Sequence, residues 1–201
     1  MYILVGYFLE IIMEDEPVFL DVHRQFNALC EIFPDFTFED LSNDKYKQKP
    51  PDGFDGWLVR PKWWKIASSS YHEAVHKLCG MRGVYLESSM ISNRIPSLIH
   101  VENACAKKHS GDVLILPICF NSLNVLESNG FGLGIIDAII LHLYYPNISK
   151  DGLVVIDCFG DECNKGAQIP VLIISSEKLE LTKRDSNEPL PSFLKRYTLL
   201  F

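Results

Sequence analysis

The residues best suited to chemistry in this chain lie in the HEAVH segment at positions 72–76. Residues four apart share one face of a helix, so His72 and His76 could both bind one Zn²⁺ ion. Glu73 could then take a proton from the water that the metal activates, as metallopeptidases require. The segment therefore raises the hypothesis of a zinc-dependent hydrolase.

A structural role for the same segment competes with the zinc hypothesis. Ser70 and Glu73 have the spacing of a capping box, in which each side chain satisfies a free backbone N–H at the start of a helix. A zinc site also needs a third ligand; Glu87 and Glu102 are both available, and Glu102 is the one that we assign to it. The alternative is a capped surface helix with two solvent-facing histidines, which we expect to end at Gly80.

A second group of candidate residues follows the predicted strand at 153–158. Asp157, Asp161 and Glu162 lie within six residues and could hold Mg²⁺, which prefers oxygen ligands. In open sheets, ligands bind beyond the carboxyl ends of parallel strands. The competing interpretation is an acidic turn that simply follows a strand.

A thiol nucleophile is a third hypothesis. Cys119, near the end of the predicted strand at 112–120, could act with His142 and Asp157. His142, however, lies in an apolar helix, where a lone histidine is more often a core residue. Cys158 stands among carboxylates, which raise the pKa of a thiol. Neither cysteine makes a persuasive nucleophile.

The glycine-rich GFGLG segment at 130–134 resembles a phosphate loop only superficially. The dinucleotide fingerprint places G-x-G-x-x-G directly after a strand, whereas about ten residues intervene here and the third spacing differs. We therefore interpret the glycines as allowing close packing at the start of the following helix.

A tryptophan-rich segment is the main candidate for a partner surface. Trp57, Trp63 and Trp64 lie close in sequence to Arg60. Tryptophan and arginine are enriched in the residues that dominate protein interfaces. Packing in the core competes for at least two of the aromatic rings in this segment.

The elements that must position these residues predict an α/β or α+β chain with a mixed sheet flanked by helices. A strand at 112–120, an apolar helix at 134–145 and a strand at 153–158 predict one parallel strand–helix–strand crossover at about 112–158. Runs at 170–175 and 178–182 predict a hairpin at the edge of the sheet, and 197–201 a last strand. We expect one domain over 1–201, since no composition break divides the chain.

Composition bounds the class of protein further. The formal net charge is −7, with 26 acidic against 19 basic residues. This balance disfavours nucleic acid and anionic membranes as partners, because both require a basic surface. No pair among the six cysteines forms C-x-x-C, which indicates reduced thiols and a cytoplasmic setting. The apolar segment at 1–12 is too short to span a bilayer and has no basic start typical of a signal peptide.

These observations lead to two functional expectations. The first is a small acidic protein that binds a protein partner with a basic surface, as an inhibitor or immunity-type protein without catalysis. The alternative is a metal-dependent hydrolase that uses the HEAVH segment or the acidic cluster at 157–162. We expect no cofactor under the first, and Zn²⁺ or Mg²⁺ under the second.

Overall fold

The structure is a computed structural model. It describes residues 21–37, 49–52, 54, 56–87, 90, 92–96, 99, 102–103, 111–120, 132–146, 153–163, 168–176, 178–185, 195–197 and 199–200. The helices in this part of the chain are α1 (Val22–Ile32), α2 (Trp63–Ile66), α3 (Tyr71–Arg82) and α4 (Ile135–Tyr144). The strands are β1 (Gly56–Pro61), β2 (Tyr85–Leu86), β3 (Ser92–Arg94), β4 (Val113–Phe120), β5 (Val154–Asp157), β6 (Asp161–Cys163), β7 (Gln168–Ile174), β8 (Leu179–Asp185), β9 (Lys195–Tyr197) and β10 (Leu199–Leu200).

The strands form two sheets. The smaller has the order β1-β4-β10, with antiparallel neighbours. The larger has the order β2-β8-β7-β5-β9, and β6 pairs with both β7 and β3 beside this path. Because β2–β8 and β5–β9 are parallel while β7 is antiparallel to its neighbours, this sheet is mixed. The predicted class, helices with a mixed sheet, is confirmed.

The predicted crossover at 112–158 needs a correction. The strand, helix and strand form in the expected order as β4, α4 and β5. However, β4 pairs with β1 and β10, whereas β5 pairs with β7 and β9. The two strands therefore lie in different sheets and are not parallel neighbours. Apolar runs identify buried strands, but they do not specify which strands pair.

The predicted hairpin forms as β7 and β8, with antiparallel register from Gln168 opposite Asp185 to Ile174 opposite Leu179. It is not at the edge of the sheet, since β2 pairs with β8 and β5 pairs with β7.

Helix α4 is the centre of the core. Every residue from Ile135 to Leu141 is buried, and Tyr144 donates a hydrogen bond to the carbonyl of Val59 on β1. A helix that is apolar on all sides must be covered on all sides. Its burial between the sheets explains why a charged residue inside it, Asp137, needs partners within the protein.

A glutamine side chain from α1 covers the outer edge of β1. Gln25 is fully buried; its Nε2 donates to the carbonyl of Trp57 at 2.7 Å, and its Oε1 accepts from the N–H of Val59 at 2.9 Å. The amide thus bonds the backbone as a neighbouring strand would. This contact fixes α1 against the smaller sheet.

We expect Gln25→Leu to lower the free energy of unfolding by about 1–3 kcal/mol, because it removes the partner of buried backbone groups. Urea denaturation followed by circular dichroism measures the change. Asn27→Leu, at an exposed position of the same helix, is the matched control and should stay within about 0.5 kcal/mol of the wild type. If the two substitutions lowered the free energy of unfolding equally, the hydrogen bonds of Gln25 to the edge of β1 would not be stabilising the fold.

Candidate functional site

Five charged side chains meet inside the protein at the start of α4. Each residue is 3% exposed or less. They come from separate elements: Arg60 from β1, Arg94 from β3, Glu102 from a helical segment, Asp137 from α4 and Asp161 from β6. We call this group the buried ion cluster.

Arg94 is the centre of the buried ion cluster. Its Nη1 donates to Asp161 Oδ1 at 3.1 Å, and its Nη2 donates to Asp137 Oδ2 at 2.9 Å. Its Nε donates to Glu102 Oε1 at 3.0 Å, and Nη2 pairs with the same oxygen. One guanidinium therefore binds three carboxylates, a geometry that the planar fork of arginine allows.

Arg60 joins the smaller sheet to the same cluster. Its Nη2 pairs with Glu102, its Nε lies 2.5 Å from Asp137 Oδ1, and its Nη1 donates to the carbonyl of Pro61 at 3.1 Å. Burial of an unpaired guanidinium or carboxylate would cost several kcal/mol. Mutual pairing is thus what allows these five groups to be buried.

Two carboxylates of the cluster also bind the free N–H groups at the start of α4. Asp161 Oδ2 accepts from the N–H of Ile135 at 2.6 Å, and Asp137 Oδ2 accepts from the N–H of Gly134 at 2.8 Å. The hydroxyl of Tyr71 donates to Asp161 Oδ2 at 2.6 Å. A helix N-terminus carries a partial positive charge, so it stabilises both carboxylates.

The environment moves the pKa values of the two aspartates in opposite directions. Burial alone would raise the pKa of Asp137, but Arg60, Arg94 and the Gly134 N–H outweigh it and hold that pKa below its usual range. Burial raises the pKa of Asp161, against the opposing effects of Arg94 and the Tyr71 hydroxyl. With two guanidinium groups against three carboxylates, the cluster has a formal charge of −1 when all five are ionised.

Close packing explains the glycines before α4. A Cβ on Gly134 would lie 1.6 Å from Arg94 Nη1 and 2.6 Å from Asp161 Oδ2. A Cβ on Gly132 would lie 2.4 Å from the Cβ of Phe159. Neither distance is possible for a real side chain, so both positions require glycine. The packing interpretation of the GFGLG segment is confirmed at these two positions.

The structure does not assemble the predicted zinc site. The rings of His72 and His76 lie 4.3 Å apart on α3, but Glu102 belongs to the buried ion cluster. Among the described residues, no three His, Cys, Asp or Glu side chains form a group that could hold a metal ion. Glu73 is exposed, and its N–H donates to Ser70 Oγ at 3.1 Å. Assigning Glu102 as the third ligand was therefore wrong, because two arginines bind it.

The acidic residues at 157–162 do not converge either. Asp157 accepts from Arg184 Nε at 2.9 Å and Arg184 Nη2 at 2.7 Å, a bidentate pair across the larger sheet. Asp161 points into the buried ion cluster, and Glu162 follows it on β6 and pairs in register with Asn93 of β3. The predicted Mg²⁺ group is not formed in this part of the chain.

The three residues of the predicted thiol site lie on separate elements, Cys119 on β4, His142 on α4 and Asp157 on β5. Cys119 lies on β4 opposite Leu200, and its side chain falls outside the described residues. Its proposed partner Asp157 is bound by Arg184. Burial lowers the pKa of His142, with Arg82 adding to the effect. Among the other cysteines, burial raises the pKa of Cys79 to about 12.

The tryptophan-rich segment divides between core and surface. Trp57 and Trp63 are half-buried and pack against the hydrophobic core. Arg60 is completely buried, so its assignment to a partner surface was wrong. Trp64 is half-buried on α2, with its ring edge-on to Trp63 at 5.4 Å. A role for the three tryptophans in binding a partner stays a prediction.

Comparison with protein-family models, curated proteins and solved structures finds no match for this chain. Its function must therefore be inferred from its own residues. None of the helices in the described part of the chain is long and apolar enough to cross a membrane.

A sequence signal for the buried ion cluster exists in two apolar segments. Asp137 is the one acidic residue in α4, and Arg60 is the one charged residue in β1. Charged residues are almost never fully buried unless paired, so a single charge in an apolar element predicts a partner elsewhere. Arg94 and Glu102 carry a weaker signal, since polar residues stand directly beside each of them in the sequence.

Proposed function

We propose that this chain acts by binding a protein partner with a basic surface, as an inhibitor or immunity-type protein without catalysis. The observation that carries the proposal is that arginines bind three carboxylates that the metal-dependent alternative requires, Glu102, Asp157 and Asp161. Arg94 binds Asp161, Asp137 and Glu102, and Arg184 binds Asp157. A carboxylate that is buried and bound by a guanidinium is poorly placed to bind a substrate or a metal ion.

The net charge supports a basic partner. Among the described residues, three basic and four acidic ones are buried, which together contribute −1 to the net charge of −7: Arg60, Lys62, Arg94, Glu102, Asp137, Asp157 and Asp161. Subtracting −1 from −7 leaves −6 for all other charged residues of the sequence. Opposite charge on a partner accelerates association and excludes wrong partners of like charge.

Aromatic and apolar side chains outside the core supply candidate anchors. Tyr85 is 64% exposed and Met81 is 43% exposed, and the two flank the turn between α3 and β2. Trp64 is half-buried beside an exposed lysine, Lys65. Trp and Tyr recur among the residues that carry most of the binding energy at interfaces.

The proposal includes a reducing, cytoplasmic setting. Cys30, Cys79, Cys158 and Cys163 are free thiols. Burial raises the pKa of Cys163 to about 12, which keeps that thiol protonated and unreactive. The acidic net charge also opposes binding to nucleic acid or to an anionic membrane.

We expect Trp64→Ala to weaken binding of the partner by about 30-fold, the loss that corresponds to about 2 kcal/mol at an interface hot spot. The full-length chain serves as bait for affinity capture from its source cells. The captured protein is then purified and titrated calorimetrically against wild type and variant. It should carry a net positive charge, and its affinity should fall as salt is raised.

Leu153→Ala is the control, because Leu153 is also an exposed apolar residue but precedes β5. It should retain the wild-type affinity. An acidic partner, or an affinity that is insensitive to salt, would refute the proposed charge complementarity. Hydrolytic turnover that a chelator removes and Zn²⁺ restores would refute the non-catalytic role.

A further inference from the structure

The two histidines of α3 remain paired with each other although the third predicted ligand lies elsewhere. Their ring centroids are 4.3 Å apart, with the ring planes at 73°. His76 is exposed and His72 is half-buried. We propose that His72 and His76 form a two-histidine site for a divalent late-transition metal ion such as Ni²⁺, Zn²⁺ or Cu²⁺. Water completes the coordination.

The geometry of the pair suits one shared ion. An imidazole nitrogen binds zinc at about 2.0–2.1 Å, so two ring centroids on one ion lie roughly 4.5 Å apart at a right angle and roughly 5.2 Å at the tetrahedral angle. The observed centroid distance of 4.3 Å is close to the right-angle value. Because α3 holds both residues on one face, binding an ion loses less conformational entropy than it would with ligands from separate elements.

The chemistry of the pair also suits this class of ion. Imidazole is a ligand for zinc, copper and nickel, whereas magnesium and calcium prefer oxygen ligands. Affinity should follow the general order in which Cu²⁺ exceeds both Ni²⁺ and Zn²⁺.

A hydrogen bond from the backbone to His72 allows metal binding to be detected at one amide. The N–H of Ser92 donates to His72 Nδ1 at 3.4 Å, a long hydrogen bond. A neutral imidazole that accepts at Nδ1 carries its proton on Nε2. When a metal ion binds Nε2, the proton of the neutral ring must lie on Nδ1 instead. Nδ1 can then no longer accept the hydrogen bond from the N–H of Ser92. Metal binding should therefore free the Ser92 amide, two residues before Arg94 in β3.

Titration of the chelator-treated full chain with Ni²⁺ at pH 7.5, followed by calorimetry, tests the site. We expect a tight phase of one ion per chain. Loss of a group that merely supports a metal ligand costs about 10- to 100-fold in affinity. His76→Ala and His72→Ala should therefore each weaken this phase at least about tenfold. His23→Ala, a solitary exposed histidine on α1, is the matched control and should leave it unchanged.

His76 is exposed, so its replacement should leave the circular dichroism spectrum and the melting temperature of the metal-free chain unchanged. Amide exchange measured by NMR with Zn²⁺ should accelerate at Ser92. The proposal is overturned if His76→Ala binds Ni²⁺ as the wild type does, or if His23→Ala loses as much affinity. It is also overturned if Zn²⁺ changes amides away from α3 and β3 while Ser92 exchange stays constant.

Discussion

Replacement of Arg94 by methionine is expected to lower the free energy of unfolding by about 3–5 kcal/mol, the usual cost of removing one partner from a buried ion pair. Arg94 binds Asp161, Asp137 and Glu102 inside the protein. Methionine fills similar space but leaves these carboxylates short of a positive charge. Urea denaturation at pH 7, followed by circular dichroism and tryptophan fluorescence, measures the loss.

An exposed ion pair provides the control for Arg94. Lys178, which directly precedes β8, pairs with Glu180 two residues along the chain, and the lysine side chain is 61% exposed. Surface pairs contribute about 0–1 kcal/mol, so Lys178→Met should change the free energy of unfolding by no more than that. If Arg94→Met and Lys178→Met had equal effects, the cluster would not be holding the fold together.

The second large effect is expected at Gly134. A Cβ there would lie 1.6 Å from Arg94 Nη1, so alanine forces the guanidinium and Asp161 to move. We expect Gly134→Ala to lower the free energy of unfolding by about 3 kcal/mol, the upper end of the usual range for an overpacked core. Thermal and urea unfolding of the purified variant measure the change.

Gly80 offers a control of opposite sign. It lies inside α3 with no atom within 4 Å of the position that a Cβ would take. Alanine is favoured over glycine in a helix interior by about 0.5–1 kcal/mol, so Gly80→Ala should raise the free energy of unfolding by that amount. A stabilising or neutral Gly134→Ala would show that the cluster does not press against the start of α4.

Local signals in the sequence predicted local structure well. Ser70 caps α3 as its spacing from Glu73 indicates, and the apolar run in α4 forms a buried helix. The predicted end of α3 at Gly80 was wrong, since the helix continues to Arg82. Gly83, with φ 66°, takes the left-handed conformation that closes it. Packing of Val75, Leu78 and other buried residues of α3 outweighs the intrinsic cost of a glycine within the helix.

Contacts between distant residues could not be predicted in the same way. Arg60 meets Glu102 across 42 residues of sequence, and Arg94 meets Asp161 across 67. Such pairs depend on which strands become neighbours, and that choice depends on the packing of the whole chain. For the same reason Asp161 was assigned to a Mg²⁺ group with Asp157, although the two carboxylates bind different arginines.

The central claim is that arginines within the folded protein bind Glu102, Asp157 and Asp161, three of the carboxylates predicted to hold a metal ion. A double-mutant cycle on Arg94→Met and Asp161→Asn tests it most directly. The wild type, both single variants and the double variant are unfolded by urea. The same concentration of sucrose is present throughout, so that even the least stable variant is folded before urea is added. The account predicts that the double variant is more stable than the sum of the single changes implies, by about 2 kcal/mol. Additive effects, within about 0.5 kcal/mol, would contradict it.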